Sequence, residues 1–110
     1  VLFSPLLFKL GCINSALCIV MASVGGHRPW DEERKRNYST AVNHHMYSSF
    51  GMVLSAFKYS NTSCLLFGLA SVLFSGGLYY RCLADNKNKN FLIPIGGLLN
   101  IGGWVSLALL

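Results

Sequence analysis

Residues 91–110 read FLIPIGGLLNIGGWVSLALL, a stretch of twenty residues that carries no charge. At a rise of about 1.5 Å per residue, such a stretch is long enough to cross the hydrocarbon core of a bilayer, which needs about 20 residues. Pro94 is tolerated because it falls in the first helical turn. We therefore predict a transmembrane helix over about 92–110.

Three more apolar segments lie upstream, at about 5–25, 40–57 and 64–83. The middle one is the weakest because polar residues, among them His44 and His45, occupy its first turns. The chain shows no sustained alternation of apolar and polar residues, and open sheet edges are not viable in lipid. We predict an all-α fold, a four-helix transmembrane bundle that forms one integral membrane domain over the whole chain.

A polar loop separates the first two segments. It runs from His27 to Arg36, and within it Pro29 and Trp30 precede three acidic residues. Acidic residues in a first turn are typical of a helix start. We therefore expect the loop to be partly helical, as a short surface helix that continues directly into the second segment, with Trp30 at the membrane interface.

The composition indicates a membrane protein. Hydrophobic residues make up 53% of the 110 residues and charged residues 12%, about half of the roughly 25% that soluble domains carry. A soluble domain of this size could not bury so much apolar surface, because small domains have a high surface-to-volume ratio. The net charge is +5, but the basic residues flank apolar segments and no nucleic-acid-binding motif is present, so we expect no nucleic-acid partner.

The basic residues predict the orientation, because loops on the cytoplasmic side carry an excess of Lys and Arg. The loops after the first and third segments lie on one side and hold seven basic residues, against two on the other side. We expect these polar loops on the cytoplasm-like or matrix side and both termini opposite. The seven are Arg28, Arg34, Lys35, Arg36, Arg81, Lys87 and Lys89, and the two are Lys9 and Lys58.

Small residues four positions apart recur in every segment. This spacing places both residues on one helix face and lets helix backbones approach closely, which is how helices associate in lipid. We predict that these rows pack the helices of this bundle, with the alternative that one row docks a helix of a partner protein. The pairs are Gly11 and Ser15, Gly51 and Ser55, Ser71 and Ser75, and Gly102 and Ser106.

The three histidines are the residues with the clearest site chemistry. His27 follows the first segment and His44 and His45 begin the second, so all three are expected near one membrane surface. Neutral imidazoles from different helices could bind a metal or haem. His44 and His45, however, point about 100° apart on a helix. We predict interfacial hydrogen bonding and no metal site, with a ligand or proton-relay role as the alternative.

Two asparagines, Asn14 and Asn100, are polar groups within apolar spans. We expect them to form hydrogen bonds between helices rather than to bind a substrate. No acidic residue lies in the middle of a span, and this disfavours proton or cation transport.

No motif predicts catalysis, since the sequence has no phosphate loop, nucleophile elbow, paired carboxylates or zinc motif. Four cysteines lie in or beside apolar segments without a C-x-x-C pair, and we interpret them as small buried hydrophobes, with a disulfide or metal site as the alternative. We predict that the protein is not an enzyme and holds no cofactor. The cysteines are Cys12, Cys18, Cys64 and Cys82.

Five short blocks of sequence carry a resemblance to a known family. They are Gly25-Gly26-His27, Ala41-Val42-Asn43-His44-His45, Phe74-Ser75-Gly76-Gly77-Leu78-Tyr79-Tyr80, Pro94-Ile95-Gly96-Gly97-Leu98-Leu99 and Gly103-Trp104. With them the chain resembles the transmembrane protein 256 family over nearly its whole length. Similar proteins usually carry a Gly where Arg28 follows here. The resemblance implies a four-span membrane protein, mitochondrial in animals, with no established catalysis and no catalytic residues.

The first segment has a second interpretation. Residues 6–24 could be a signal peptide with a small-residue end at Ala22-Ser23-Val24. We interpret them as a retained helix, because the resemblance includes them.

These features predict a non-catalytic accessory subunit of a mitochondrial inner-membrane complex of the respiratory chain, with membrane lipids and other membrane subunits as partners. One alternative is a small solute or ion transporter or channel that uses the two asparagines and the histidines. Another is a lipid-binding scaffold in which Arg34, Lys35 and Arg36 bind anionic headgroups.

Overall fold

The structure is a computed structural model that describes residues 3–84 and 92–110. In this part of the chain it is helical, with no strand, and the predicted all-α bundle is confirmed. The helices are α1 (Pro5–Gly26), α2 (Glu32–Phe57), α3 (Asn61–Leu83) and α4 (Leu92–Leu109).

Side-chain caps fix three of the helix starts. The Ser4 hydroxyl accepts a hydrogen bond from the Leu7 amide at 3.3 Å, and Pro5 follows it as the first helical residue. Asp31 caps α2 by accepting from the Arg34 amide at 2.9 Å. The surface helix and the second segment are therefore one helix that begins at Glu32 rather than at about 40. Ser60 caps α3, so this helix begins at Asn61 rather than at about 64.

Three helices, α1, α3 and α4, are long and apolar enough to cross a membrane. The fourth, α2, has 26 residues, which span about 39 Å at 1.5 Å per residue. Its polar first turns make it less apolar on average than the others. The order of hydropathy thus agrees with the prediction that the second segment is the weakest.

The bundle has a flat cross-section. Its Cα atoms extend over 48 × 26 × 16 Å, and the long dimension follows the helices. α1 packs along α2, and α4 packs along α3, so α2 and α3 form the centre and α1 and α4 the edges. Much of α1 and α4 therefore faces outward, where apolar side chains suit lipid.

Hydrogen bonds show which helix ends lie together. At one end, the Arg34 side chain donates to the Cys82 carbonyl at 2.7 Å, so the loop 27–31 lies beside the end of α3. At the other end, the Ser4 amide donates to the Ala56 carbonyl at 3.0 Å. This arrangement places the first connection and the end of α3 at one end of the bundle, and the start of α1 beside the end of α2 at the opposite end. The polar segment that contains Lys87 and Lys89 lies outside the described residues.

Phe67 of α3 is fully buried and packs closely against α2 and α4. A Cβ atom added to Gly51 of α2 would collide with this ring, and one added to Gly103 of α4 would lie 2.7 Å from it. The two glycines let a phenyl ring fill the space between three helices. Close approach through glycine is the packing that lipid-embedded helices require.

Candidate functional site

A chain of hydrogen bonds between polar side chains crosses the interior of the bundle and joins α1, α2 and α3. Its centre is His45, which is 3% exposed. The imidazole Nε2 lies 2.8 Å from Asn14 Oδ1 of α1, and Nδ1 lies 2.9 Å from the Tyr79 hydroxyl of α3. Neighbouring residues on α2 thus differ sharply, since His45 faces the centre and His44 does not.

The acceptors determine the direction of these hydrogen bonds. A carboxamide oxygen can only accept, so Nε2 of a neutral His45 carries the proton and Nδ1 accepts from Tyr79. The Asn14 amide nitrogen then donates to Ser71 Oγ at 3.0 Å and to the Met52 sulfur at 3.2 Å. The Ser71 hydroxyl donates to the Phe67 carbonyl at 3.2 Å. Each polar group in this series of hydrogen bonds, from Tyr79 to Ser71, therefore has a partner when the His45 imidazole is neutral.

A π-helical turn over Ser71–Ser75 places the α3 end of this network. Ser71 opens the turn and bonds Asn14 of α1, whereas Ser75 closes it and donates to the Ala41 carbonyl of α2 at 2.8 Å. A Cβ atom on Gly96 of α4 would collide with the Phe74 backbone in the same turn. One turn of α3 therefore contacts all three other helices. Such turns are rare and frequently lie at functional sites.

The three histidines make different contacts. Among the described residues no group of three or more His, Cys, Asp or Glu side chains could hold a metal ion. Both ring nitrogens of His45 are already hydrogen-bonded, and His27 is exposed at the end of α1. His44 donates from Nδ1 to the Thr40 carbonyl at 3.1 Å and packs its ring against Phe74. His45 was predicted at the membrane interface, but it is buried and forms hydrogen bonds between helices.

The three predicted packing glycines differ in how closely another helix approaches them. A Cβ atom on Gly11 would lie 2.7 Å from Val53, so α1 and α2 approach closely there. Gly51 meets the Phe67 ring as described above. Gly102 makes no such approach, because the nearest atom to its Cβ position is Leu66 Cδ1 at 4.0 Å. The close contact of α4 is made by the next residue, Gly103.

The predicted packing serines contribute mainly through hydrogen bonds. Ser15 and Ser55 donate to carbonyls of their own helices, which removes the cost of an unpaired hydroxyl in lipid. Ser71 and Ser75 join α3 to α1 and α2. Ser106 of α4 lies 2.5 Å from the Ser63 hydroxyl of α3. Three of the five serines therefore connect helices.

The cysteines are free thiols. Cys18, Cys64 and Cys82 are buried, as predicted, whereas Cys12 is exposed. The Cys18 thiol lies 3.4 Å from the Val42 carbonyl. In the structure none of these four cysteines forms a disulfide.

The three basic residues predicted to bind headgroups divide into two kinds. Lys35 and Arg36 are exposed on α2. Arg34 is half-buried, donates to the Cys82 carbonyl, and lies with its guanidinium 4.2 Å from the centre of the Trp30 ring. Arg34 thus stabilises the bundle by capping the carboxyl end of α3, where the last carbonyls lack partners within the helix.

A groove of about 560 Å³ opens between α2 and α4. His44 and Tyr47 line it from α2, and Gly97, Asn100 and Trp104 line it from α4. Asn100 is 6% exposed, and its Oδ1 has no hydrogen-bond partner among the described residues. The expected hydrogen bond between helices is therefore found for Asn14, whereas the Asn100 oxygen lacks one.

Comparison with known proteins identifies the family. The family model described as "Protein of unknown function (DUF423)" matches residues 21–97. The chain belongs to this family. The resemblance to the transmembrane protein 256 family is confirmed by this match, since the two correspond.

The relatives of this family member are bacterial membrane proteins. A UPF0382 membrane protein of Staphylococcus haemolyticus is 34% identical and covers 90% of this chain and 92% of its own length. The UPF0382 membrane protein YwdK of Bacillus subtilis is 27% identical, with 87% of each chain covered. No solved structure matches the chain. The protein is therefore an integral membrane protein of a family without an established function.

Two residues of the site were not predicted from the sequence. The sequence did not distinguish Tyr79 from its neighbour Tyr80, yet Tyr79 is 7% exposed and donates to His45, whereas Tyr80 is 64% exposed. Arg34 was interpreted as a headgroup ligand. The signal that could have found Tyr79 is its helical position, four residues after Ser75 and eight after Ser71, which places the three on one face.

Proposed function

We propose that the protein is a non-catalytic accessory subunit of a larger membrane assembly. The observation that carries this proposal is the use of its interior polar groups. His45, Asn14, Tyr79 and Ser71 bond one another across three helices. A set of side chains consumed in joining helices supplies structure rather than a free acid, base or nucleophile.

The shape of the bundle supports a role within an assembly. The bundle is 16 Å across its Cα atoms in the thinnest dimension, with α1 and α4 at its edges. Large apolar side chains cover the outward faces of α1 and α4, for example Ile13, Leu17 and Leu98. These apolar faces could pack against the helices of a neighbouring membrane protein, and only short segments of the chain would contact water.

For the finer assignment we propose a respiratory-chain complex of the mitochondrial inner membrane. The support for a mitochondrial compartment is the resemblance to the transmembrane protein 256 family, which implies a mitochondrial protein in animals, whereas the relatives named above are bacterial. The excess of seven basic residues against two favours polar connections on the matrix side and both termini opposite.

The experiment is native electrophoresis of gently solubilised mitochondrial membranes, with this chain followed by mass spectrometry. The proposal expects the chain to co-migrate with a respiratory complex. Migration only at the size of a monomer or small oligomer, under conditions that leave the respiratory complexes intact, would contradict it.

A second candidate is the binding of anionic lipid headgroups, because Lys35 and Arg36 are exposed beside the Trp30 interface. Each basic residue near an anionic surface contributes about 1 kcal/mol. The Lys35→Gln, Arg36→Gln double variant should lose anionic lipids in native mass spectrometry, with Glu33→Gln as a control that keeps them. Equal lipid retention by both variants would remove this candidate.

Transport is not proposed. Asn14 and His45 belong to the closed internal network, whereas Asn100 and His44 line the outward groove. The polar residues that a transport path would need are thus divided between two places.

A further inference from the structure

The groove between α2 and α4 opens outward and has a volume of about 560 Å³. It extends along residues 94–104 of α4, which rise about 15 Å. This volume lies within the range of about 300–1,000 Å³ that is typical of sites for small molecules.

Two residues that line the groove, Asn100 and His44, can each offer a hydrogen-bond acceptor. Oδ1 of the buried Asn100 has no partner among the described residues. The terminal torsion of an Asn side chain is broad, so the carboxamide can turn its oxygen toward the groove. His44 donates from Nδ1 to the Thr40 carbonyl, so Nε2 of the neutral ring is an acceptor. Both groups call for a ligand that donates.

The depth of Asn100 excludes a charged headgroup. It lies eight residues after Leu92 and nine before Leu109, which is about 12 Å along the helix from its start. A charged group at such a depth is costly, whereas an uncharged hydroxyl can be carried there on an apolar body. The remaining lining is apolar and aromatic, with Trp104 and Tyr47 among its walls.

The geometry points to a binding site for an uncharged lipid that carries a hydroxyl group, with the hydroxyl donating to Asn100 Oδ1 and the apolar body against Trp104. The hydroxyl belongs to a ring, as in a hydroquinone, or to a glycerol, as in a diacylglycerol. This site is independent of the proposed membership in an assembly, because it uses residues of this chain alone.

Trp104 provides the readout, since the chain has two Trp residues and Trp30→Phe leaves Trp104 alone. The variant is reconstituted in phosphatidylcholine nanodiscs and titrated separately with decylubiquinol, with its dimethyl ether, and with dioctanoylglycerol. We expect a saturable change in Trp104 emission with at least one hydroxyl lipid. Saturation by decylubiquinol alone assigns a ring alcohol, and equal saturation by dioctanoylglycerol assigns any hydroxyl lipid.

The matched variant adds Asn100→Leu. It removes a buried polar atom without a partner, so it should retain its fold. We expect both this variant and the dimethyl ether to bind about tenfold more weakly, the equivalent of one lost hydrogen bond. Absorption by the probe affects both proteins equally, because both carry Trp104.

Three results would overturn the site. The first is emission that changes linearly without saturation for every lipid. The second is equal affinity with and without Asn100. The third is a shift from dimer to monomer on Asn100→Leu in size-exclusion chromatography, which would assign the carboxamide to a contact between two copies of the chain.

Discussion

Nε2 of His45 lies 2.8 Å from Oδ1 of Asn14, and this hydrogen bond ties α1 to α2 at a site buried within the bundle. A second polar contact between these two helices runs from the Tyr38 hydroxyl of α2 to the Met21 carbonyl of α1. The Tyr79 hydroxyl on the other side of the His45 ring extends the connection through His45 to α3. We therefore regard His45 as the residue that fixes how three helices are arranged.

Replacing His45 by Leu should destabilise the bundle by about 1–3 kcal/mol, because it leaves Asn14 and Tyr79 without a buried partner. In a double-mutant cycle with Asn14→Leu, the coupling energy should be about 0.6–1.7 kcal/mol, the range found for such bonds in membrane proteins. Reversible unfolding in mixed micelles measures both quantities. His27→Ala, at an exposed position, is the control and should change stability by less than about 0.5 kcal/mol. Strictly additive effects of the two Leu substitutions would show that the bond contributes nothing.

Replacing Gly51 by Ala should cost about 1–3 kcal/mol, because the added methyl group collides with the buried Phe67 ring and the core has no room to relax. Gly68→Ala is the matched control on the neighbouring helix, since nothing lies within 4 Å of its Cβ position. It should be neutral, or stabilising by up to about 1 kcal/mol through helix propensity. Thermal unfolding in detergent compares the two, and equal stabilities would contradict the observed packing.

Replacing Arg34 by Ala should loosen the carboxyl end of α3, because it removes the 2.7 Å hydrogen bond to the Cys82 carbonyl and the contact with Trp30. A hydrogen bond from a charged donor contributes about 1.5–3 kcal/mol. Amide hydrogen exchange at the end of α3 should therefore become faster. Lys35→Ala removes the same charge from an exposed neighbour and should leave that exchange unchanged. If both variants exchanged alike, the net charge of the loop, rather than the Arg34 contact, would stabilise this end.

Introduced cysteines test the orientation. Glu33 and Asn61 are exposed at opposite ends of the bundle. In mitoplasts, an impermeant maleimide should label Asn61→Cys directly and Glu33→Cys only after the membrane is permeabilised, because the basic loops are expected on the matrix side. The unsubstituted chain, with its own four cysteines, gives the background. The reverse pattern of labelling would invert the predicted topology.

The sequence predicts the helices well, because long apolar segments with polar boundaries leave few alternatives in lipid. The first segment was predicted to begin at about residue 5, and α1 begins at Pro5. The apolar span of the second segment was placed at about 40–57, and the surface helix expected before it continues into this span, so α2 begins at Glu32 after the Asp31 cap. The four spans together remain a prediction, since α2 is less apolar than the other three helices.

The site was predicted less well, because it depends on which face of each helix points inward. Gly102 and Gly103 are adjacent and lie about 100° apart around the helix, so spacing alone does not choose between them. The same ambiguity separates His44 from His45 and Tyr79 from Tyr80. The π turn at Ser71–Ser75 rotates the following residues of α3 around the helix axis. The sequence of these five residues does not predict a π turn.

The most direct test of the proposed function is to delete the chain from cells and to measure the amount and size of the assembled respiratory complexes by native electrophoresis, together with their turnover per complex. The account predicts that one complex becomes smaller or less abundant, that its turnover per assembled complex is kept, and that re-expression of the chain restores it. Unchanged complexes of unchanged size and amount would contradict an accessory-subunit role.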